Sequence, residues 1–159
     1  MNIYLIEDEK LEFDSLRNEF LKYSYSIFPS SYENGFEEIR NYINNPSKET
    51  VIPIIEYIRK QKINLIILDI KLWGDLHAGS NIYENILLKY EETKNIPVIY
   101  LTKHFLQSEV RITRRTCYVQ KIIDSDGFNI DQTFTRLEIE IEKLMKMKDG
   151  PPDWNGDNL

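Results

Sequence analysis

Residues 65–70, Leu-Ile-Ile-Leu-Asp-Ile, combine five large aliphatic side chains with a single carboxylate. A short apolar run of this kind is typical of a central strand in a parallel sheet, which is buried on both faces. Asp69 interrupts the run, and burying a carboxylate is costly unless it is paired, bound to a metal or close to solvent. In open α/β sheets, ligands bind outside the carboxyl ends of the strands. We therefore expect Asp69 to lie at a functional site.

Short apolar segments alternate with helical patterns along the rest of the chain. The predicted strands are 2–6, 25–27, 63–70, 96–101 and 117–123. The predicted helices are 11–22, 36–43, 51–62, 82–90, 106–114 and 134–144. The resulting order, β-α-β-α-α-β-α-β-α-β-α, is typical of a doubly wound sheet with right-handed crossovers. We therefore predict an α/β fold with a five-stranded parallel sheet and an extra helix inserted before the third strand.

Composition excludes several classes of function. The chain has 159 residues, a net charge of -6 and a pI near 5.0, which argues against nucleic-acid binding. The dense basic cluster, Arg111, Arg114 and Arg115, is assigned to a solvated helix face. No apolar segment is long enough to span a bilayer, and no basic leader precedes the first strand, so we expect neither a membrane partner nor export. The single cysteine, Cys117, rules out an internal disulfide and favours a reducing cytoplasm.

Polar residues follow the predicted strands at their carboxyl ends. Glu7 and Asp8 follow the first strand, Asp69 lies on the third, Thr102 follows the fourth, and Lys121 lies near the end of the fifth. In a parallel sheet these ends lie side by side, so three carboxylates, a hydroxyl and an ammonium converge. Crowded carboxylates repel one another and call for a counter-ion. Hard oxygen ligands with room for water suit Mg²⁺, and an aspartate beside such a cation can accept a phosphoryl group.

Four stretches, taken together and in order, resemble the receiver domain of two-component response regulators. They are 3–9, Ile-Tyr-Leu-Ile-Glu-Asp-Glu; 65–70, Leu-Ile-Ile-Leu-Asp-Ile; 98–102, Val-Ile-Tyr-Leu-Thr; and 118–121, Tyr-Val-Gln-Lys. The resemblance covers about residues 1–147. It implies a flavodoxin-like fold of the receiver type for residues 1–148, followed by a flexible tail at 149–159.

The resemblance also implies a metal site and a phosphoryl acceptor. Asp69 would accept the phosphoryl group from a histidine kinase or a phosphotransfer protein. Asp8 would bind Mg²⁺ directly, Glu7 mostly through water, and the backbone carbonyl of Lys71 would complete the protein ligands.

The same resemblance implies a switch that reads the phosphoryl group. Thr102 would turn inward to hydrogen-bond the group, Tyr118 would follow from an outward to an inward rotamer, and Lys121 would pair with a phosphoryl oxygen. The altered surface around the fourth helix, fifth strand and fifth helix would then contact a downstream protein. A homodimer is left open as a further assembly.

The sequence departs from the receiver pattern at several positions. Glu7 replaces the more usual Asp, Trp73 stands where a proline is common, and Lys103 follows the switch threonine in place of a small residue. Ile122 replaces the proline that normally follows the lysine, so the cis peptide expected there is predicted to be absent. The chain is also longer than the pattern between Asp8 and Asp69, and we place this insertion within 44–62.

Two hypotheses follow from the sequence. The first is a stand-alone receiver, a phospho-acceptor rather than an enzyme, with self-catalysed phosphotransfer and dephosphorylation and an output by protein contact. The alternative is a phosphorylation-independent pseudo-receiver that acts as an interaction or dimerisation module. A haloacid-dehalogenase-like phosphatase fits poorly, because that family has a second Asp two residues after the nucleophile and this chain has Lys71.

Overall fold

The computed structural model describes residues 1–103 and 116–146. Its main feature is a five-stranded sheet in which all strands are parallel and the order is β2-β1-β3-β4-β5. The strands are β1 Asn2–Ile6, β2 Ser26–Phe28, β3 Leu65–Asp69, β4 Val98–Thr102 and β5 Thr116–Gln120. The predicted doubly wound five-stranded sheet is therefore confirmed.

Five helices pack around this sheet in the described part of the chain. They are α1 Lys10–Lys22, α2 Glu37–Asn44, α3 Lys48–Lys60, α4 Ala78–Ile82 and α5 Ile130–Lys146. Two helices, α2 and α3, lie between β2 and β3, in the order that the sequence predicted. The predicted helix 106–114, its arginine cluster and the predicted tail 149–159 lie outside the described residues.

The core explains why the central strands consist of aliphatic residues. Every residue of β3 and β4 is buried, because these strands lie inside the sheet and carry helices on both faces. Helices α1 and α5 lie on the same face, where the ring centroids of Phe20 and Phe134 are 4.9 Å apart. Burial of these large side chains is the main term that stabilises the domain.

The predicted end of the fifth strand is wrong. The strand 117–123 was expected to contain Lys121, whereas β5 ends at Gln120 and Lys121 follows it. The chain then forms a small antiparallel hairpin of β6 Ile123–Asp124 and β7 Gly127–Phe128. The Ile122 N–H donates to the Thr133 hydroxyl at 2.9 Å instead of to a neighbouring strand, which ends the ladder.

The fourth helix also differs from its prediction. An amphipathic stripe predicted a helix over 82–90, but α4 begins at Ala78 and passes into a π-helical turn at Tyr83–Leu87. The helix starts early because the N–H of Gly79 donates to the carbonyl of Ile70 at 2.8 Å. A Cβ on Gly79 would lie 2.2 Å from the backbone oxygen of Asp69, so only glycine permits this approach.

Three further features of the described residues concern a membrane span, the cysteine and the peptide bonds. No helix in the described ranges has the length and hydrophobicity needed to cross a bilayer. Cys117 is half-buried, and burial raises the pKa of its thiol to about 12, which keeps it protonated. The structure has a cis peptide bond at Phe28–Pro29 and none at Lys121–Ile122.

Candidate functional site

Three carboxylates meet at the carboxyl edge of the sheet. Ile6 of β1 pairs with Leu68 of β3, so the residues that follow, Glu7 and Asp69, come level with each other. One oxygen from each of Glu7, Asp8 and Asp69 lies within 4.8 Å of the others. Glu7 and Asp69 are buried, with exposed fractions of 0% and 7%. The convergence predicted from the sequence is therefore present.

Lys121, which directly follows the edge strand β5, contacts this acidic group. Its ammonium lies 2.6 Å from Oδ2 of Asp69, 2.5 Å from Oε2 of Glu7 and 2.8 Å from Oε2 of Glu12. The Lys121 side chain is buried, with 1% of its surface exposed. An ammonium has three N–H donors, so these contacts use all of them.

Glu12 is a member of the site that the sequence analysis missed. The helix over 11–22 was predicted from the helical spacing of Leu11, Phe13, Leu16, Phe20 and Leu21, but Leu11 is 81% exposed whereas Glu12 is 4% exposed. Glu12 precedes Leu16 by one helical turn and therefore shares its buried face. The sequence signal for its burial was the four-residue spacing of Glu12, Leu16 and Phe20, which places the Glu12 carboxylate on the apolar face of α1.

Burial and charge pairing have opposing effects on the pKa of each of these groups, and the net pKa is raised for Glu7, Asp69 and Lys121. Burial raises the pKa of Glu7 to about 8, with Lys121 opposing the shift and Asp69 adding to it. Burial also raises the pKa of Asp69. Burial acts to lower the pKa of Lys121, but the charges of Glu7, Asp69 and Glu12 outweigh it and the pKa is raised. Lys121 is therefore a permanent cation of the site.

Lys103 forms a second ammonium centre beside the first. It follows β4, and its ammonium lies 2.7 Å from Oε1 of Glu9 and 2.7 Å from Oε1 of Glu12. Burial acts to lower the pKa of Lys103, and its contacts with Glu12 and Glu9 raise it overall. The side chain thus runs from the end of β4 to the first turn of α1.

Asp8 is tied to the loop that follows the candidate acceptor. Its Oδ2 accepts the backbone N–H of Trp73 at 2.6 Å, and its carbonyl accepts the hydroxyl of Tyr32. The backbone N–H of Lys71 donates to Oδ1 of Asp69 at 3.2 Å, which places Lys71 beside the acidic group. Trp73 adopts a positive φ of 47°, an unusual conformation for a non-glycine residue that turns the loop back toward Asp8.

The two residues predicted to act as a switch lie on the neighbouring strands. Thr102 is buried at the end of β4, level with Gln120 of β5. Tyr118 lies on β5, and burial together with the charge of Asp69 raises the pKa of its hydroxyl to about 12. Asp69, Thr102 and Lys121 therefore lie at the carboxyl edge of the sheet, whereas Tyr118 is the central residue of β5, level with Tyr100 of β4.

The donor set suits a small divalent cation. Glu7, Asp8 and Asp69 offer hard oxygen ligands, and Asp8 is only partly buried, which leaves room for water. Lys121 supplies one positive charge against the three buried carboxylates that contact it. A cation at Glu7, Asp8 and Asp69 would relieve the remaining repulsion.

Comparison with known proteins finds similar folds among solved structures. No protein-family model matches the sequence, and no curated protein matches it significantly. Among solved structures, a two-component response regulator from Clostridium difficile has a TM-score of 0.54 at 17% identity, over 92% of this chain and 99% of that one.

Two further similar structures contain metal ions. The Mn²⁺-bound form of response regulator Rcp1 has a TM-score of 0.53 at 18% identity, over 95% of this chain and 99% of that one. The receiver domain of sensor histidine kinase PA1611 from Pseudomonas aeruginosa PAO1 has magnesium coordinated in its active-site cleft. It has a TM-score of 0.51 at 17% identity, over 89% of this chain and 97% of that one. The chain therefore has the flavodoxin-like fold of response regulator receiver domains.

Proposed function

We propose that the protein is a response regulator receiver that accepts a phosphoryl group on Asp69 in a Mg²⁺-dependent reaction. The observation that carries this proposal is the contact of 2.6 Å between the Lys121 ammonium and Asp69, beside the group formed by Glu7, Asp8 and Asp69. A lone buried Asp would be explained by pairing with one cation. Three clustered carboxylates, of which Lys121 contacts only Glu7 and Asp69, are better explained by a metal-assisted phospho-acceptor.

The proposed reaction transfers a phosphoryl group from nitrogen to oxygen. A carboxylate oxygen of Asp69 attacks the phosphorus of a phosphohistidine, the new P–O bond forms, and the P–N bond breaks. The electron pair of that bond returns to the imidazole, which takes up a proton. The donor is a sensor histidine kinase or a phosphotransfer protein, because these carry phosphohistidine.

Each side chain of the site has a role in this proposal. When bound, Mg²⁺ would offset negative charge on the transferred group, with Asp8, Asp69 and the Lys71 carbonyl as direct ligands and Glu7 acting mostly through water. Lys121 donates to a phosphoryl oxygen, and its raised pKa keeps it charged for this purpose.

The readout of the phosphoryl group uses the neighbouring strands. Thr102 would donate its hydroxyl to the group, and Tyr118 would then change rotamer on β5. The altered surface would contact a downstream protein, so one local charge selects between two packings of the domain.

A small phosphodonor tests the proposal without knowledge of the cognate kinase. Incubation with phosphoramidate and Mg²⁺ should add one phosphoryl group by intact mass, and EDTA should prevent it. Asp69→Asn should abolish the modification, whereas the matched exposed substitution Asp131→Asn on α5 should not. Modification that persists in Asp69→Asn, or no modification of the unaltered protein, would contradict the proposal. The second result would favour a phosphorylation-independent interaction module.

A further inference from the structure

Glu12 is a buried carboxylate that the proposed phosphoryl chemistry does not use. It lies outside the group of three acids that is suited to a cation, and yet it is 4% exposed. Its two oxygens bind different lysines, because Oε2 lies 2.8 Å from Lys121 and Oε1 lies 2.7 Å from Lys103. The Glu12 carboxylate thus links Lys121, the cation of the site, to Lys103, which follows Thr102.

The contacts of Lys121 leave it no free donor in this state. Glu7, Glu12 and Asp69 take its three N–H groups. A phosphoryl group on Asp69 brings new oxygen acceptors, and Lys121 can serve them only by giving up a present contact. Glu7 belongs to the acidic group and Asp69 is the acceptor itself, so the contact to give up is the one with Glu12.

Lys103 shares the Glu12 carboxylate with Lys121. The Glu12 carboxylate divides its charge between two ammonium groups, and Lys103 is also held by Glu9 at 2.7 Å. Removing Lys103 leaves the whole carboxylate to Lys121. Removing the charge of Glu12 weakens the hold on both lysines.

We propose that Glu12 is a positioning residue that competes with the phosphoryl oxygens for Lys121, and that Lys103 moderates this competition. The inference rests on the proposed function. It predicts that Glu12 lowers the affinity of the site for a phosphoryl group, and that Lys103 and Glu12 act in opposite directions. A residue that only stabilised the fold would not produce opposite signs.

Beryllofluoride, which mimics a phosphoryl group on aspartate, provides an equilibrium test in saturating Mg²⁺. Glu12→Gln should bind beryllofluoride about tenfold more tightly, the factor that corresponds to one competing charged hydrogen bond. Lys103→Met should bind it more weakly, and the double variant should lie within about twofold of Glu12→Gln alone, because the two residues act through one contact. Glu19→Gln, on the same helix and paired with the surface residue Lys22, is the matched control and should bind as the unaltered protein does.

Each outcome bears on the inference. Unchanged or weaker binding by Glu12→Gln, in a protein that binds beryllofluoride and loses this binding in Asp69→Asn, would overturn this inference alone. No binding by the unaltered protein, together with no modification by phosphoramidate, would overturn both this inference and the proposed function. If Glu12→Gln does not fold, Lys103→Met decides, because the Lys103 side chain is 30% exposed and tolerates substitution. Unweakened binding by Lys103→Met would then overturn the inference.

Discussion

The carboxylate of Asp8 accepts the backbone N–H of Trp73 at 2.6 Å, across a sequence separation of 65 residues. This bond connects an acid of the proposed metal site to the loop that follows the candidate acceptor strand. The indole of Trp73 also packs against Phe36, with ring centroids 5.6 Å apart, and lies under the Arg40 guanidinium at 4.9 Å. A change in the bonding of the Asp8 carboxylate should therefore alter the environment of the Trp73 indole.

The first prediction uses Trp73 as a reporter of metal binding. In the Trp154→Phe background Trp73 is the sole tryptophan, and Mg²⁺ should produce a saturable change in its fluorescence because the cation engages Asp8. Asp8→Asn should weaken the apparent affinity by at least about tenfold, since a charged ligand is lost. Glu33→Gln, which removes an exposed acid that pairs with Lys10, is the control. An equal response from Asp8→Asn would exclude Asp8 as a ligand.

The second prediction concerns stability and pH in the absence of metal. Burial raises the pKa of Glu7 from an ordinary value of 4.5 to about 8, and the pKa of Asp69 is raised as well. Between about pH 5 and 8 the folded protein therefore holds protons that the unfolded chain has released. The free energy of unfolding should fall as pH rises through this window. Urea titrations in EDTA at several pH values measure the slope.

Two comparisons check that Glu7 causes this slope. Glu7→Gln removes the titrating group and should flatten the dependence between about pH 5 and 8. Added Mg²⁺ should raise the free energy of unfolding most at the upper end of the window, because the cation binds the deprotonated carboxylate. A slope that is unchanged in Glu7→Gln would show that another group titrates.

The third prediction concerns the buried ammonium of Lys121. Lys121→Met removes the cation that three carboxylates share, and should lower the metal-free stability by about 3–5 kcal/mol, as expected when one partner of a buried ion pair is lost. Lys146→Met, which removes an exposed partner of Glu142, should change it by less than about 1 kcal/mol. Chemical denaturation measures both variants. Equal effects would mean that the buried cluster contributes no more than a surface pair.

The fourth prediction concerns the close contact between α4 and the end of β3. Gly79→Ala would place a Cβ 2.2 Å from the Asp69 carbonyl oxygen and 2.7 Å from Cα of Ile70. We expect a loss of about 1–3 kcal/mol in stability and weaker Mg²⁺ binding, because the acceptor loop must shift. Asn81→Ala, at an exposed position of the same helix, is the control. Retention of both properties in Gly79→Ala would show that the loop has room to adjust.

Local hydrophobic patterns were sufficient to predict the sheet and most of the site. A run of aliphatic residues around Asp69 is typical of a buried strand, and parallel strands align their carboxyl ends, so Glu7, Asp8 and Asp69 were expected to meet. The family resemblance supplied the roles assigned to Thr102, Tyr118 and Lys121. Those roles remain predictions, although Thr102 and Lys121 lie at the expected edge of the sheet.

Tertiary structure decided what depends on contacts between distant segments. The sequence analysis did not single out Glu12, and its burial is compensated by the ammonium groups of Lys103 and of Lys121, which is 109 residues away in sequence. The early start of α4 likewise depends on a bond between Gly79 and Ile70 that has no periodic signal. Sequence patterns record which faces are apolar, whereas the pairing of buried charges is set by the three-dimensional fold, because the partners come from different elements.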